Sequence, residues 1–83
     1  MMDTVIADLR SFLSTELRVP DAETLDPELS LVRRGILDSI ELMRVVNFIE
    51  GRFGIRFEAH EILPSNLGSL AAMSAFVAKK RAA

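Results

Sequence analysis

Cysteine, tryptophan and tyrosine are absent from this 83-residue chain, and histidine occurs once. Without cysteine there is no disulfide framework and no thiolate metal site to reinforce the small core that so short a chain can bury. One imidazole cannot make a metal site, and His60 does not face its neighbour Glu61, because adjacent helical positions point apart. His60 therefore reads as a surface histidine, and no metal ligands are assigned. Catalysis needs a nucleophile, an acid or base and a group to orient them, and the supply is too poor to expect an enzyme. Glycine is also sparse: Gly51 and Gly54 sit where a helix ends, and no glycine-rich phosphate loop can be drawn. No apolar run approaches the roughly 20 residues of a membrane span. Positive charge is no more abundant, with 10 basic against 12 acidic residues and a net charge of −2. That balance argues against a nucleic-acid partner, which needs a basic stripe. Lys79, Lys80 and Arg81 form the one basic cluster and suit the last turn of a helix. The start, Met1-Met2-Asp3-Thr4, has no basic region followed by an apolar stretch, so a soluble, cytoplasmic protein without membrane insertion is expected.

What remains is an apolar fraction of 49% distributed at helical spacing. The chain should form a single domain over residues 1–83. Asp3 is placed to cap a first helix over residues 4–17, whose apolar face is Val5, Ile6, Leu9, Phe12, Leu13 and Leu17. Pro20, Asp21, Asp26, Pro27 and Gly35 then punctuate a long loop that keeps Leu25, Leu29, Leu31 and Val32 as anchors. Loops of that length are uncommon in compact domains and often functional. A second helix opens at Asp38-Ser39 and runs to Phe53, with Leu42, Val45, Val46, Ile49 and Phe53 inward. Asp38 and Glu41 have capping-box spacing. A short helix over residues 59–63, closed by Pro64, precedes a last helix that begins within residues 66–69 and carries Leu70, Met73, Phe76 and Val77. The predicted fold class is all-α: a four-helix bundle with three main helices, one short helix and a long first loop.

Chemistry concentrates in Gly35-Ile36-Leu37-Asp38-Ser39-Ile40-Glu41-Leu42. Ser39 falls in the first turn of a capped helix, at the end of the long loop and open to another enzyme. Unpaired N–H groups and the positive end of the helix dipole favour a phosphate there. An isolated Asp-Ser pair would still be read as an ordinary helix start.

The wider pattern carries more. Gly35-Ile36-Leu37-Asp38-Ser39-Ile40, an amphipathic helix ending in Phe53-Gly54-Ile55, and Asn66-Leu67-Gly68-Ser69-Leu70 opening a last helix together resemble the acyl carrier protein family. The resemblance covers nearly the whole chain. It implies that Ser39 receives 4′-phosphopantetheine from coenzyme A, with Asp38 as the acidic partner in the motif. A separate phosphopantetheinyl transferase would make that transfer with Mg²⁺. It implies a carrier rather than an enzyme, holding acyl or aminoacyl cargo as a thioester on the arm. Further partners would be an adenylating acyl or aminoacyl ligase and a downstream acyltransferase or synthase. A monomer is expected, since the arm visits several enzymes with weak, quickly reversed docking. Docking should use Ile40, Met43, Arg44 and Asn47, which lie toward solvent near Ser39.

Two departures narrow the class. Fatty-acid carriers typically have a second helix rich in acids, whereas residues 38–53 here balance Asp38, Glu41 and Glu50 against Arg44 and Arg52. Such a helix suits a less basic partner, or one with an acid placed to meet Arg44. The extra apolar residue in Gly-Ile-Leu-Asp-Ser looks more like stand-alone aminoacyl, D-alanyl or peptidyl carriers. A dedicated aminoacyl or specialised acyl carrier is the preferred expectation. A fatty-acid or polyketide carrier is the alternative, and it predicts an apolar cavity lined by Leu42, Val46, Ile62, Leu63, Met73 and Phe76. A non-catalytic helical interaction module or DNA-binding module is the rival from another class, with only Arg44, Asn47 and Arg52 to read bases.

Overall fold

The computed structural model describes residues 3–82, and every regular element in that part is helical. α1 spans Asp3–Thr15, α2 spans Ser39–Phe53, α3 spans Pro64–Leu67 and α4 spans Leu70–Ala82. Single 3₁₀ turns occur at Ala22–Thr24 and Ala59–Glu61. This is the all-α bundle that the apolar spacing predicts, with an acyl-carrier-like arrangement of three main helices, a short one and a long first loop.

α1 is described from Asp3 onward, and the side chain of Asp3, and with it the expected N-cap, lies outside the described residues. The helix stops at Thr15, two residues before the predicted end. Arg18 adopts a left-handed backbone (φ 56°) and the Val19 N–H donates to the Leu13 carbonyl at 2.8 Å, which turns the chain back. Val5, Ile6, Leu9 and Leu13 are buried, while Phe12 and Leu17 are half-buried against the core. α1 and α2 run antiparallel. Asp8 pairs with Arg52 at 3.1 Å, and one turn further along each helix Phe12 stacks on Phe48 with centroids 4.3 Å apart. Val45, Val46 and Ile49 of α2 are buried, with Leu42 and Phe53 half-buried beside them. All four predicted apolar residues of α4 are buried, and Phe76 stacks on Phe57 at 4.6 Å.

The segment around Pro64 departs from expectation. Instead of one helix over residues 59–63 closed by proline, a 3₁₀ turn is followed by α3, in which Pro64 is the first residue. Proline suits that position because its missing N–H would have no intrahelical partner there and its φ is already helical. Ser69 then caps α4, its hydroxyl accepting the Ala72 N–H at 3.1 Å.

The long loop is held at several points. Ala22 and Leu31 are fully buried. Arg10 donates from Nη2 to the Leu25 carbonyl at 2.6 Å. The N–H groups of Leu31 and Ala71 donate to the carbonyls of Gly68 and Pro27, each at 2.8 Å, which stitches the loop to the junction of α3 and α4. Val32, expected as an anchor, is instead 46% exposed: it follows buried Leu31 directly and turns outward.

Candidate functional site

Leu31 and Leu37 are buried, and between them the chain makes a tight loop in which the N–H groups of Ile36 and Leu37 both donate to the Leu31 carbonyl, at 2.8 and 3.2 Å. Gly35 permits this with φ 72°, a conformation other residues adopt only with strain. Two apolar anchors and one glycine therefore fix where α2 starts, and the next residue after Leu37 is Asp38.

Asp38 has an extended backbone and is the N-cap of α2. Its carboxylate accepts the Glu41 N–H at 2.8 Å, while the Glu41 carboxylate accepts the Asp38 N–H at 3.0 Å. The reciprocal box read from the spacing is present. It satisfies two of the free donors at this helix end, and among the described residues the N–H groups of Ser39 and Ile40 have no intramolecular acceptor. Ser39 is the first residue of α2 and is exposed, and its hydroxyl has no hydrogen-bond partner among the described residues. An accessible hydroxyl next to two free N–H groups at the positive end of a 15-residue helix fits an attached phosphodiester.

Helix geometry orients the rest. Residues on α2 advance by about 100° each, and α1 lies on the side of Phe48 and Arg52. Ser39 and Met43 therefore turn away from α1, next to Leu42. Ile40, Met43, Arg44 and Asn47 are all exposed, Ile40 most of all at 74%. Beside Leu42 a pocket of about 280 Å³ opens between the loop and α3. Its wall is almost wholly apolar, built from Val32, Leu42, Ile62, Leu63, Pro64 and Leu67, and Arg33 is the one charged residue lining it.

Of the six residues expected around a cavity, Leu42, Ile62 and Leu63 line this pocket, and Val46, Met73 and Phe76 do not. The latter three are buried in the close-packed core, so the space lies at the rim of the bundle rather than running into it. The contribution of Val32 and Arg33 was missed in the sequence. Their adjacency to Gly35 was a signal of position, but nothing in the pattern told Val32 from Leu31. His60 is exposed, and no group of three or more His, Cys, Asp or Glu among the described residues could hold a metal. No helix among them is long and apolar enough to cross a membrane.

The same arrangement is found in known proteins. Six chains of solved structures match this one. One of them, from a structure described as "Crystal structure of FAD-dependent dehydrogenase", is 28% identical with a TM-score of 0.71, and the alignment covers 83% of this chain and 97% of that one. The search of curated proteins gives no match. The model of the family described as "Phosphopantetheine attachment site" matches residues 7–77. A domain of this kind typically carries a group rather than transforming it, and it works with phosphopantetheinyl transferases and the enzymes that use the carried group. The chain belongs to the phosphopantetheine attachment site family, whose cofactor is covalently attached 4′-phosphopantetheine.

Proposed function

We propose that Ser39 is the attachment residue, and that the protein holds an aminoacyl or specialised acyl group as a thioester and presents it to partner enzymes. The observation that carries this reading is the Asp38 cap, which leaves the Ser39 hydroxyl exposed and unbonded at the start of α2. When bound, the cofactor supplies the thiol that a chain without cysteine lacks. The protein's own residues do the rest. Asp38 and Glu41 fix the helix start, the free N–H groups of Ser39 and Ile40 accommodate the phosphate, and Ile40, Met43, Arg44 and Asn47 offer a surface for docking. An adenylating ligase would load the arm, and an acyltransferase or synthase would unload it.

The shape of the pocket bears on the cargo. A carrier that swallows a long acyl chain, as in fatty-acid or polyketide synthesis, needs space running into the bundle. Here the core residues Val46, Met73 and Phe76 are 3%, 1% and 4% exposed and take no part in the pocket. That supports a short or polar cargo held outside. The 28% identical chain, from a structure described as an FAD-dependent dehydrogenase, supports one more specific reading of a partner: a flavin-dependent dehydrogenase that acts on the carried group.

The test is the intact mass after incubation with coenzyme A, Mg²⁺ and a promiscuous phosphopantetheinyl transferase. The wild type should gain one phosphopantetheine and Ser39→Ala none. No gain by the wild type, with a transferase active on another carrier, would return the chain to the interaction-module reading. The holo-protein is then offered candidate ligases with amino acids and fatty acids, and a flavin dehydrogenase once a cargo has been accepted.

A further inference from the structure

Large exposed apolar side chains are confined to one end of the molecule. Among the described residues they are Val32, Ile40, Met43 and Leu63. Val32 and Leu63 are two walls of the pocket, and Ile40 and Met43 form a ridge on α2 beside it. Apolar groups gathered in this way are characteristic of a surface that meets a partner, whereas single scattered ones are not.

Charge says which partner. Arg33 lines the pocket, Arg34 follows it, and Arg44 lies on the far side of the Ile40 and Met43 ridge, so guanidinium groups flank the apolar strip from both sides. All three are exposed. The ion pairs of the described residues are Arg52 with Asp8 and Lys80 with Glu61, so none of these three arginines is spent within the fold. Between Ser30 and Arg44 the acids are Asp38 and Glu41, and each carboxylate accepts a backbone N–H in the capping box. This stretch, residues 30–44, thus sets three unpaired cations against two engaged anions beside an apolar pocket.

We propose that this face docks an acidic partner protein, one that places a bulky apolar side chain in the pocket between Val32 and Leu63 and carboxylates against Arg33, Arg34 and Arg44. The proposal rests on the carrier reading of Ser39, because the partner it describes is the enzyme that receives the arm. Complementary charge around the contact steers the encounter and selects among enzymes, while the apolar side chain gives the contact its position. Each exposed charge pair contributes little alone, which fits a carrier that must leave quickly.

The experiment uses the full chain, ¹⁵N-labelled, before and after phosphopantetheinylation. Two short peptide amides serve as probes, each with Phe-Leu at its centre, one flanked by Asp and Glu and the other by Lys. The acidic peptide should shift the amides of Val32, Arg33, Ile40, Met43 and Leu63 and bind more tightly than the basic one. Arg33→Glu and Arg44→Glu should each weaken it about two- to fivefold, the range of an exposed pair, and together reverse the preference. Val32→Asn, which removes the apolar wall without adding charge, should weaken both peptides, and circular dichroism checks that each variant is folded. Equal binding of the two peptides, shifts confined to residues 79–81, or indifference to the two arginine variants would overturn the proposal. Failure of the mass gain at Ser39 strikes the carrier reading, whereas a modified protein without the acidic preference strikes the docking proposal alone.

Discussion

At Glu41 and again at Glu61, a glutamate carboxylate accepts the backbone N–H three residues before it, at 3.0 and 2.8 Å. The two turns then diverge. Asp38 returns the favour with its own carboxylate, and fifteen helical residues follow. At Glu58 the Glu61 N–H goes to the backbone carbonyl at 2.9 Å, and after three residues of 3₁₀ turn the chain changes direction toward Pro64. Local hydrogen bonding therefore sets where a helix can begin, while the residues that follow decide whether it continues. After Asp38 come Leu42, Val45, Val46 and Ile49, an apolar stripe with a core to meet. After Glu58 comes Ile62-Leu63-Pro64, in which a proline N cannot donate to the turn before it.

The strongest way to break this contrast is to loosen what holds the first turn in place. Leu31 is fully buried, accepts two N–H groups through its carbonyl and donates its own N–H to Gly68. Leu31→Ala should cost about 2–5 kcal/mol, the range for emptying a packed leucine site. The loss should appear as a lower urea midpoint. Because the cavity lies under the loop that delivers Asp38, amides of residues 36–41 should also exchange faster than those of α4.

Asp38→Ala addresses the cap directly. Removing a side-chain N-cap costs about 1 kcal/mol, so thermal unfolding should move down by several degrees for a domain of this size. Asp38→Asn keeps an acceptor for the Glu41 N–H and should recover most of that stability. If both variants destabilise equally, the hydrogen bond at 2.8 Å is not what fixes the start of α2.

These two turns also show what the sequence discloses. The Asp38 box was legible because aspartate is a strong N-cap residue and Glu41 stands at the right spacing ahead of an apolar stripe. The exposure of Ser39 and of the α2 ridge followed from the same periodicity. The turn at Glu58 was not legible, since glutamate is a weak cap and the role of Glu61 depends on Lys80, nineteen residues away. Pro64 was read as a stop because proline ends a helix, yet it equally begins one, and only the following residues distinguish the two. Val32 and Arg33 were missed at the pocket because a loop has no periodicity from which to infer which side chain points inward. Leu31 was legible as an anchor there, whereas Ala22 and Leu37 are settled by packing in the core.

The smallest effect expected is at Glu61, and it tests whether the second turn is held by charge. Its carboxylate accepts the Glu58 N–H and pairs with Lys80 at 2.9 Å, and both hold its pKa below the ordinary glutamate value of 4.5, the backbone hydrogen bond being the largest single cause. A carboxyl whose pKa is lower in the folded state than in the unfolded one binds fewer protons when folded. Its contribution is therefore complete above the unfolded value and disappears as pH falls through the folded one. Glu61→Gln keeps an oxygen for the Glu58 N–H and removes the charge that Lys80 meets. The difference in urea midpoint between wild type and variant should be constant near neutral pH and shrink below about pH 4.5, and salt should shrink it too. A difference that persists unchanged in acid would mean that Glu61 acts by shape and hydrogen bonding alone, and that the contrast between the two turns owes nothing to Lys80.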